Sequence, residues 1–159
     1  YLHIAIAPTK NNDRLEWFLE KATEIGIDEI TPIICQNSER KIVKQERLEK
    51  IIQSAMKQSL KFTLPKLNEP IKFNDFIDQD FNGKKCIAHC EDDEKTLLKT
   101  LVNTKEKITI LIGPEGDFST QEIKKALSKK FIPISLGESR LRTETAGLVA
   151  VQTVAIINQ

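Results

Sequence analysis

Apolar residues recur along this chain at two different spacings. Short runs rich in β-branched residues and bounded by turn signals, Tyr1–Ala7 (closed by Pro8), Glu29–Cys35, Lys85–Cys90, Lys107–Ile112 and Ile132–Leu136, read as buried strands. Between them the spacing switches to three and four. Leu15, Phe18, Leu19, Ala22 and Ile25 share one face of a helix that Asp13 can cap and that Gly26 can close in a left-handed conformation. Leu48, Ile52, Ala55, Ser59 and Phe62 do the same for a helix from Lys44 to Phe62, stopped by Pro65. Strand, helix, strand within a few dozen residues points to parallel crossovers, so the chain reads as an α/β domain.

The stretch from Asn68 to Gly83 is poorly patterned, with a short helix expected over Phe73–Ile77, and Lys95–Val102 reads as another. Ser119 followed three residues later by Glu122 is a capping-box pattern, opening a helix over Thr120–Lys129. The last helix, Glu144–Ile157, is apolar nearly all round. It should therefore be covered on most sides, and its small residues let a second backbone come close.

A length of 159 residues suits one domain. With 24 Lys plus Arg against 23 Asp plus Glu the formal charge is +1, so any RNA contact must come from a local patch rather than a global field. The best patch is the outer face of the second helix, with Arg47, Lys50, Lys57 and Lys61, which charge alone assigns to a solvated surface. The 3 cysteines, Cys35, Cys86 and Cys90, lack C-x-x-C spacing and suit free thiols in a reducing compartment. No signal peptide opens the chain and no apolar run approaches the roughly 20 residues that span a bilayer, so a cytoplasmic protein without a membrane partner is expected.

Candidate chemistry concentrates in two glycine-bearing stretches, Leu111–Ser119 (LIGPEGDFS) and Leu136–Gly147 (LGESRLRTETAG). The first reads as strand, tight loop, helix, and its glycines leave the main chain open to close approach by a ligand. Together, IGPEG-x-FS-x-x-E and LG-x-x-x-LR-x-ETA resemble the ribosomal RNA small subunit methyltransferase E family of the SPOUT methyltransferases. KNNDRLEWFLEKATEIGIDEITPI, SERK and KQS-x-x-x-x-LP look like the same pattern in the same order, so the resemblance covers most of the chain. One departure is Asp117, where the family usually has glycine.

The resemblance implies a SPOUT-type, mostly parallel sheet flanked by helices, with a C-terminal deep trefoil knot. Periodicity would not suggest a knot, since true knots are nearly absent from folds. It also implies S-adenosyl-L-methionine as cofactor, a homodimer, and methylation of N3 of one uridine in 16S rRNA within the small ribosomal subunit. Family members carry an N-terminal PUA-like RNA-binding barrel to which nothing here corresponds, so residues 1–159 are expected to be the methyltransferase domain, binding cofactor but methylating poorly. The cofactor-binding positions carried over are His89, Ile112, Gly113, Gly116, Leu136, Gly137, Leu141, Arg142 and Thr145.

Methyl transfer from a sulfonium requires an in-line nucleophile, and uridine N3 must first lose its proton, leaving negative charge on its carbonyl oxygens. Arg14 and Arg142 are the candidates for stabilising that anion or clamping a phosphate, since a guanidinium stays charged and presents a rigid fork. Glu115 and Glu144 are the candidate bases. Each has an ordinary alternative. Arg14 can pair at i to i+4 on its own helix, Glu115 can bond amides of its own loop, and Glu144 can occupy the first turn of the last helix, where a carboxylate suits the dipole. Trp17 could stack on an unpaired base, but its helical position reads as packing. His89 and Cys90 lack partners at ligand spacing, so no metal site is expected. Rival functions are a non-catalytic RNA-binding or ribosome-assembly module and a transfer-RNA methyltransferase of the same superfamily.

Overall fold

The computed structural model describes all 159 residues. Its sheet contains β1 (Leu2–Ile6), β2 (Glu29–Ile34), β3 (Lys66–Leu67), β4 (Ile71–Lys72), β5 (Lys84–Ala88), β6 (Thr96–Leu97), β7 (Ile108–Ile112) and β8 (Ile132–Ser135). The order is β3-β2-β1-β7-β5-β8-β6, with β4 also paired to β2, and every pairing is parallel. A parallel sheet must be covered on both faces, which is why β1 and β7 are buried throughout and apolar except for His3 and Thr109.

Six helices supply that cover: α1 (Asn12–Ile25), α2 (Gln45–Gln58), α3 (Phe73–Ile77), α4 (Leu98–Leu101), α5 (Thr120–Ser128) and α6 (Thr143–Ile157). Leu2, Ile4 and Ile6 of β1 and Ile108, Ile110 and Ile112 of β7 pack with α1, α2, α4 and α6, whereas Ala5, Leu111 and Ile87 face α3 and α5. The mostly parallel, helix-flanked sheet expected from the resemblance is thus observed.

Several local expectations are corrected. Asn11, not Asp13, caps α1, its side chain accepting from the Asp13 N–H, and Gly26 closes that helix with φ 128°, positive but outside the left-handed helical well. α2 stops at Gln58, before Pro65 is reached, because Leu60 turns with φ 59° and the Lys61 N–H bonds back to the Met56 carbonyl. Phe62 is therefore not an inward residue but 102% exposed. Lys95–Val102 divides into β6 and the single turn α4. α6 buries one face only, through residues such as Gly147, Ala150, Val151 and Val154. Leu148, Val149 and Ala155 are half-buried, and Ile156 is exposed. Trp17, at 40% exposure, is not a packed residue.

β7 sits between β1 and β5, and β8 between β5 and β6, so the chain doubles back twice within the sheet. The carboxyl ends of β5, β7 and β8 consequently lie side by side at a change of strand order, the place where open α/β sheets bind ligands.

Candidate functional site

At those carboxyl ends lie two adjoining hollows of about 270 and 290 Å³. They share a wall of Ala88, Cys90, Arg140, Leu141 and Ala146, and so form one two-lobed cleft within the size range of small-molecule sites. Residues 135–139 with Ile134 and Lys95 enclose the first lobe, and Ile112, Gly113, Pro114, Glu115, Asp117, Arg142 and Thr143 the second. Gly137 borders the first lobe with φ 137°, and a Cβ placed on it would meet nothing within 4 Å, so that wall is open main chain.

The loop between β7 and α5 is tied to four other segments. Thr143 Oγ1 donates to the Gly113 carbonyl at 2.9 Å, fastening the start of α6 to the loop. Asn37 Nδ2 donates to the Gly116 and Asp117 carbonyls at 3.3 and 3.2 Å. The Cys90 N–H donates to Asp117 Oδ2 at 3.0 Å, closing the loop onto the end of β5. The Lys10 N–H donates to Glu115 Oε1 at 2.8 Å, while the Arg40 guanidinium donates through Nε and Nη2 to the Lys10 carbonyl at 3.1 and 2.9 Å. Beneath the loop the capping box of α5 is complete, and the second Glu122 oxygen accepts from the Gln36 N–H at 3.0 Å. Asp117 holds φ 66°, the left-handed region that glycine tolerates best and aspartate tolerates better than most.

The cleft gathers Ile112, Gly113, Leu136, Gly137, Leu141 and Arg142 from the cofactor-binding set. His89 reaches it by main chain only: its side chain is fully buried, neither ring nitrogen has a hydrogen-bond partner, and its carbonyl accepts from Lys95 Nζ at 2.7 Å. Gly116 and Thr145 do not line the cleft, because Gly116 turns its open side to Asn37 and Thr145 follows the turn that points Thr143 inward. Among the proposed catalytic residues, Glu115 and Arg142 line the second lobe, while Arg14 and Glu144 stand outside both lobes. Glu115 bonds the Lys10 amide across loops rather than its own loop, which engages one carboxylate oxygen as a clip. Arg14 finds its partner not on α1 but on α6, with Nε 4.0 Å from Glu144 Oε1. Glu144 is buried in the first turn of α6, and its Oε2 has no partner.

The family model described as RNA methyltransferase domain matches residues 1–155. The chain belongs to that family. Ribosomal RNA small subunit methyltransferase E of Buchnera aphidicola is 35% identical over 159 residues, covering 94% of this chain and 62% of that protein. Its counterpart in Mesomycoplasma hyopneumoniae is 33% identical over 152 residues, covering 92% and 65%. The domain thus spans less than two thirds of the length of these curated relatives. Among solved structures, a probable rRNA-methyltransferase from Porphyromonas gingivalis superimposes with TM-score 0.93 at 46% identity, covering 99% of this chain and 67% of that one. Ribosomal RNA small subunit methyltransferase E from Neisseria gonorrhoeae, bound to S-adenosyl methionine, does so with TM-score 0.86 at 28% identity, covering 99% and 66%.

Within the RNA methyltransferase domain, sequence reasoning missed Cys90, Lys95, Arg140 and Ala146 as cleft residues, and Arg40 as the fork on Lys10. Their place inside the second glycine-bearing stretch, Leu136–Gly147, was a signal for Arg140 and Ala146, but no local pattern marks Cys90, Lys95 or Arg40. Burial pushes the Cys90 thiol up, with the Asp117 carboxylate adding to it, so Cys90 presents a neutral thiol rather than a nucleophilic thiolate.

Burial, aided by the Lys95 cation, lowers His89, and the carboxylates of Asp117, Asp93 and Glu91 oppose this incompletely. Burial likewise lowers His3. Both rings are neutral when folded and take up protons near pH 6.5 when unfolded. The stability they contribute is complete above that pH and is lost as pH falls towards the folded values. Melting temperature is therefore expected to drop between pH 7 and pH 5, above the range where carboxylates titrate, and His89→Gln is expected to flatten that drop. An unchanged slope in calorimetric melts of the variant contradicts this.

Proposed function

We propose that the domain transfers a methyl group from S-adenosyl-L-methionine to N3 of a uridine in 16S rRNA of the small ribosomal subunit, in the cytoplasm. The observation that carries the reading is the two-lobed cleft walled by both glycine-bearing loops. Its chemistry fits the cofactor. Ala88, Ile134, Leu136 and Leu141 offer apolar cover for a purine ring, Gly137 leaves the first lobe open, and Arg140, Arg142 and Glu115 suit a charged amino-acid tail. When bound, the cofactor supplies an electrophilic methyl group.

The remaining work falls to the chain. The cleft walls orient the reactants and exclude water. Glu115 lines the second lobe and gives only Oε1 to the Lys10 amide, so it is the candidate base for the N3 proton; Arg142 in the same lobe meets the negative charge left on the uracil carbonyls, and Arg14, held by the buried Glu144, adds to it from outside the lobes. A homodimer and a trefoil knot belong to the same reading. The half-buried Leu148, Val149 and Ala155 and the exposed Ile156 supply a face of α6 for a second copy. The insertion of β8 between β5 and β6, before α6 returns to pack on β1 and α1, supports a threaded C-terminus.

Titration calorimetry with S-adenosylmethionine, followed by incorporation of labelled methyl into isolated small subunits, naked 16S rRNA and transfer RNA, tests the proposal. Binding with transfer to the small subunit or its RNA is expected. No binding at millimolar cofactor removes the catalytic reading, binding without transfer favours an RNA-binding module, and transfer to transfer RNA alone changes the substrate class. Sedimentation that finds only monomer at high concentration removes the dimer.

A further inference from the structure

We infer that the turn after α2, built around Phe62, is a second contact surface for single-stranded RNA, at the opposite end of the sheet from the cleft. Within five residues it exposes three large apolar side chains, with Leu60 at 83%, Phe62 at 102% and Leu64 at 47% of full exposure. The turn is built rather than frayed: Leu60 adopts φ 59°, the Lys61 N–H bonds the Met56 carbonyl at 3.0 Å, and the Ser59 hydroxyl bonds the Ala55 carbonyl at 2.7 Å. Phe62 is therefore held out in solvent by a defined backbone.

Charge indicates what it meets. Between Glu49 and Glu69 the chain has no acidic residue but carries Lys50, Lys57, Lys61 and Lys66, against a net charge of only +1 for the whole sequence. Lys50 and Lys57 stand two helical turns apart on the outer face of α2 and make no ion pair, whereas Arg47 is taken out of the track by Glu16 at 2.7 and 3.0 Å, and Lys66 lies 3.8 Å from Glu29. A bare aromatic ring among lysines stacks an unpaired base while the ammonium groups meet the flanking phosphates. A protein partner fits less well, because lysine is depleted at protein interfaces.

The position separates this surface from the chemistry. Lys66 pairs in register with Glu29 at the amino end of β2, whereas the cleft lies at the carboxyl ends of β5, β7 and β8. A five-residue strand at about 3.3 Å per residue puts roughly 17 Å between the two ends. The surface thus adds RNA affinity without touching the reacting atoms. It rests on the functional reading above for RNA as the partner, but not on methyl transfer.

Fluorescence anisotropy with a short labelled oligouridylate, single-stranded and annealed to oligoadenylate, tests this in the intact chain. Phe62→Ser is expected to weaken single-strand binding at least about fivefold, from the loss of one stacked base, with little effect on the duplex. Lys50→Gln with Lys57→Gln is expected to lower the slope of log affinity against log salt by about 1.4. All three side chains are solvent-exposed, so melting temperature and cofactor affinity by calorimetry are expected to stay at the parent values. Unchanged RNA affinity in both variants overturns the inference. So does a Phe62→Ser variant that loses affinity equally for single strand and duplex, or one that dissociates a protein dimer in sedimentation while binding RNA as before. Failure of cofactor binding in the parent chain would remove the methyltransferase reading without moving any of these RNA measurements.

Discussion

Arg14→Ala lowers methyl incorporation into small subunits about a hundredfold, while the affinity for S-adenosylmethionine stays within about twofold. That split is expected because Arg14 stands outside both lobes of the cleft and yet faces the one buried carboxylate nearby, at 4.0 Å. Removing a fixed donor from a developing negative charge typically costs about 10²–10³ in rate. Arg14→Lys keeps the charge but loses the planar fork, so it recovers only part of the rate. Glu115→Gln, close in shape, removes the proposed proton acceptor and should lower methyl incorporation by about 10²–10⁴. If Arg14→Ala weakens cofactor binding in step with the rate, or if Glu115→Gln keeps the parent rate, the assigned roles are wrong.

Gly147→Val is the most damaging single substitution expected for the fold. Gly147 lies in α6 where that helix crosses α1, and a Cβ there would come within 2.7 and 2.9 Å of the Phe18 ring and 3.0 Å of Ile6 Cδ1. Both neighbours are 0% exposed, so neither can swing aside. Overpacking of this kind costs about 1–3 kcal/mol for a small excess and more when a ring must move. Alanine at this position gains about 1 kcal/mol of helix propensity, which offsets part of the clash; valine gains less and adds two methyl groups. A loss of about 3 kcal/mol corresponds to a fall of roughly 6–12 °C in melting temperature for a domain of this size. Adding Phe18→Leu to Gly147→Val makes room and should recover stability, so that the two effects are strongly non-additive. Additive losses in thermal melts would mean that the contact is not what constrains the site.

Periodicity located every long element, because a strand buried on both faces and a helix with one apolar stripe are each written in local composition. It failed where long-range contacts decide. Asp13 is chemically as good a cap as Asn11, and the choice between them follows from how Thr9 and Asn11 fold the turn after β1, with Thr9 Oγ1 accepting from the Leu15 N–H. Phe62 fits the helical spacing of α2, but Leu60 takes a positive φ and ends the helix before that face continues. Trp17 shares α1 with the core residues Phe18 and Leu19, yet it stays 40% exposed.

The site divides the same way. Gly113, Gly137 and the capping box of Ser119 and Glu122 were legible, since special backbone geometry demands particular residues within a few positions. Glu115 was ambiguous. Only folding shows one of its carboxylate oxygens on the Lys10 amide, 105 residues away in sequence, and only folding pairs Arg14 with Glu144. By itself the sequence determined the α/β class, the two glycine-bearing loops and the absence of a global basic field, because these depend on local spacing and on summed charge. The tertiary structure alone decided that three strand ends form one cleft, which candidate carboxylate lines it, and which aromatic is left in solvent. Those outcomes depend on strand order, and strand order is set by which buried faces fit together across the whole chain.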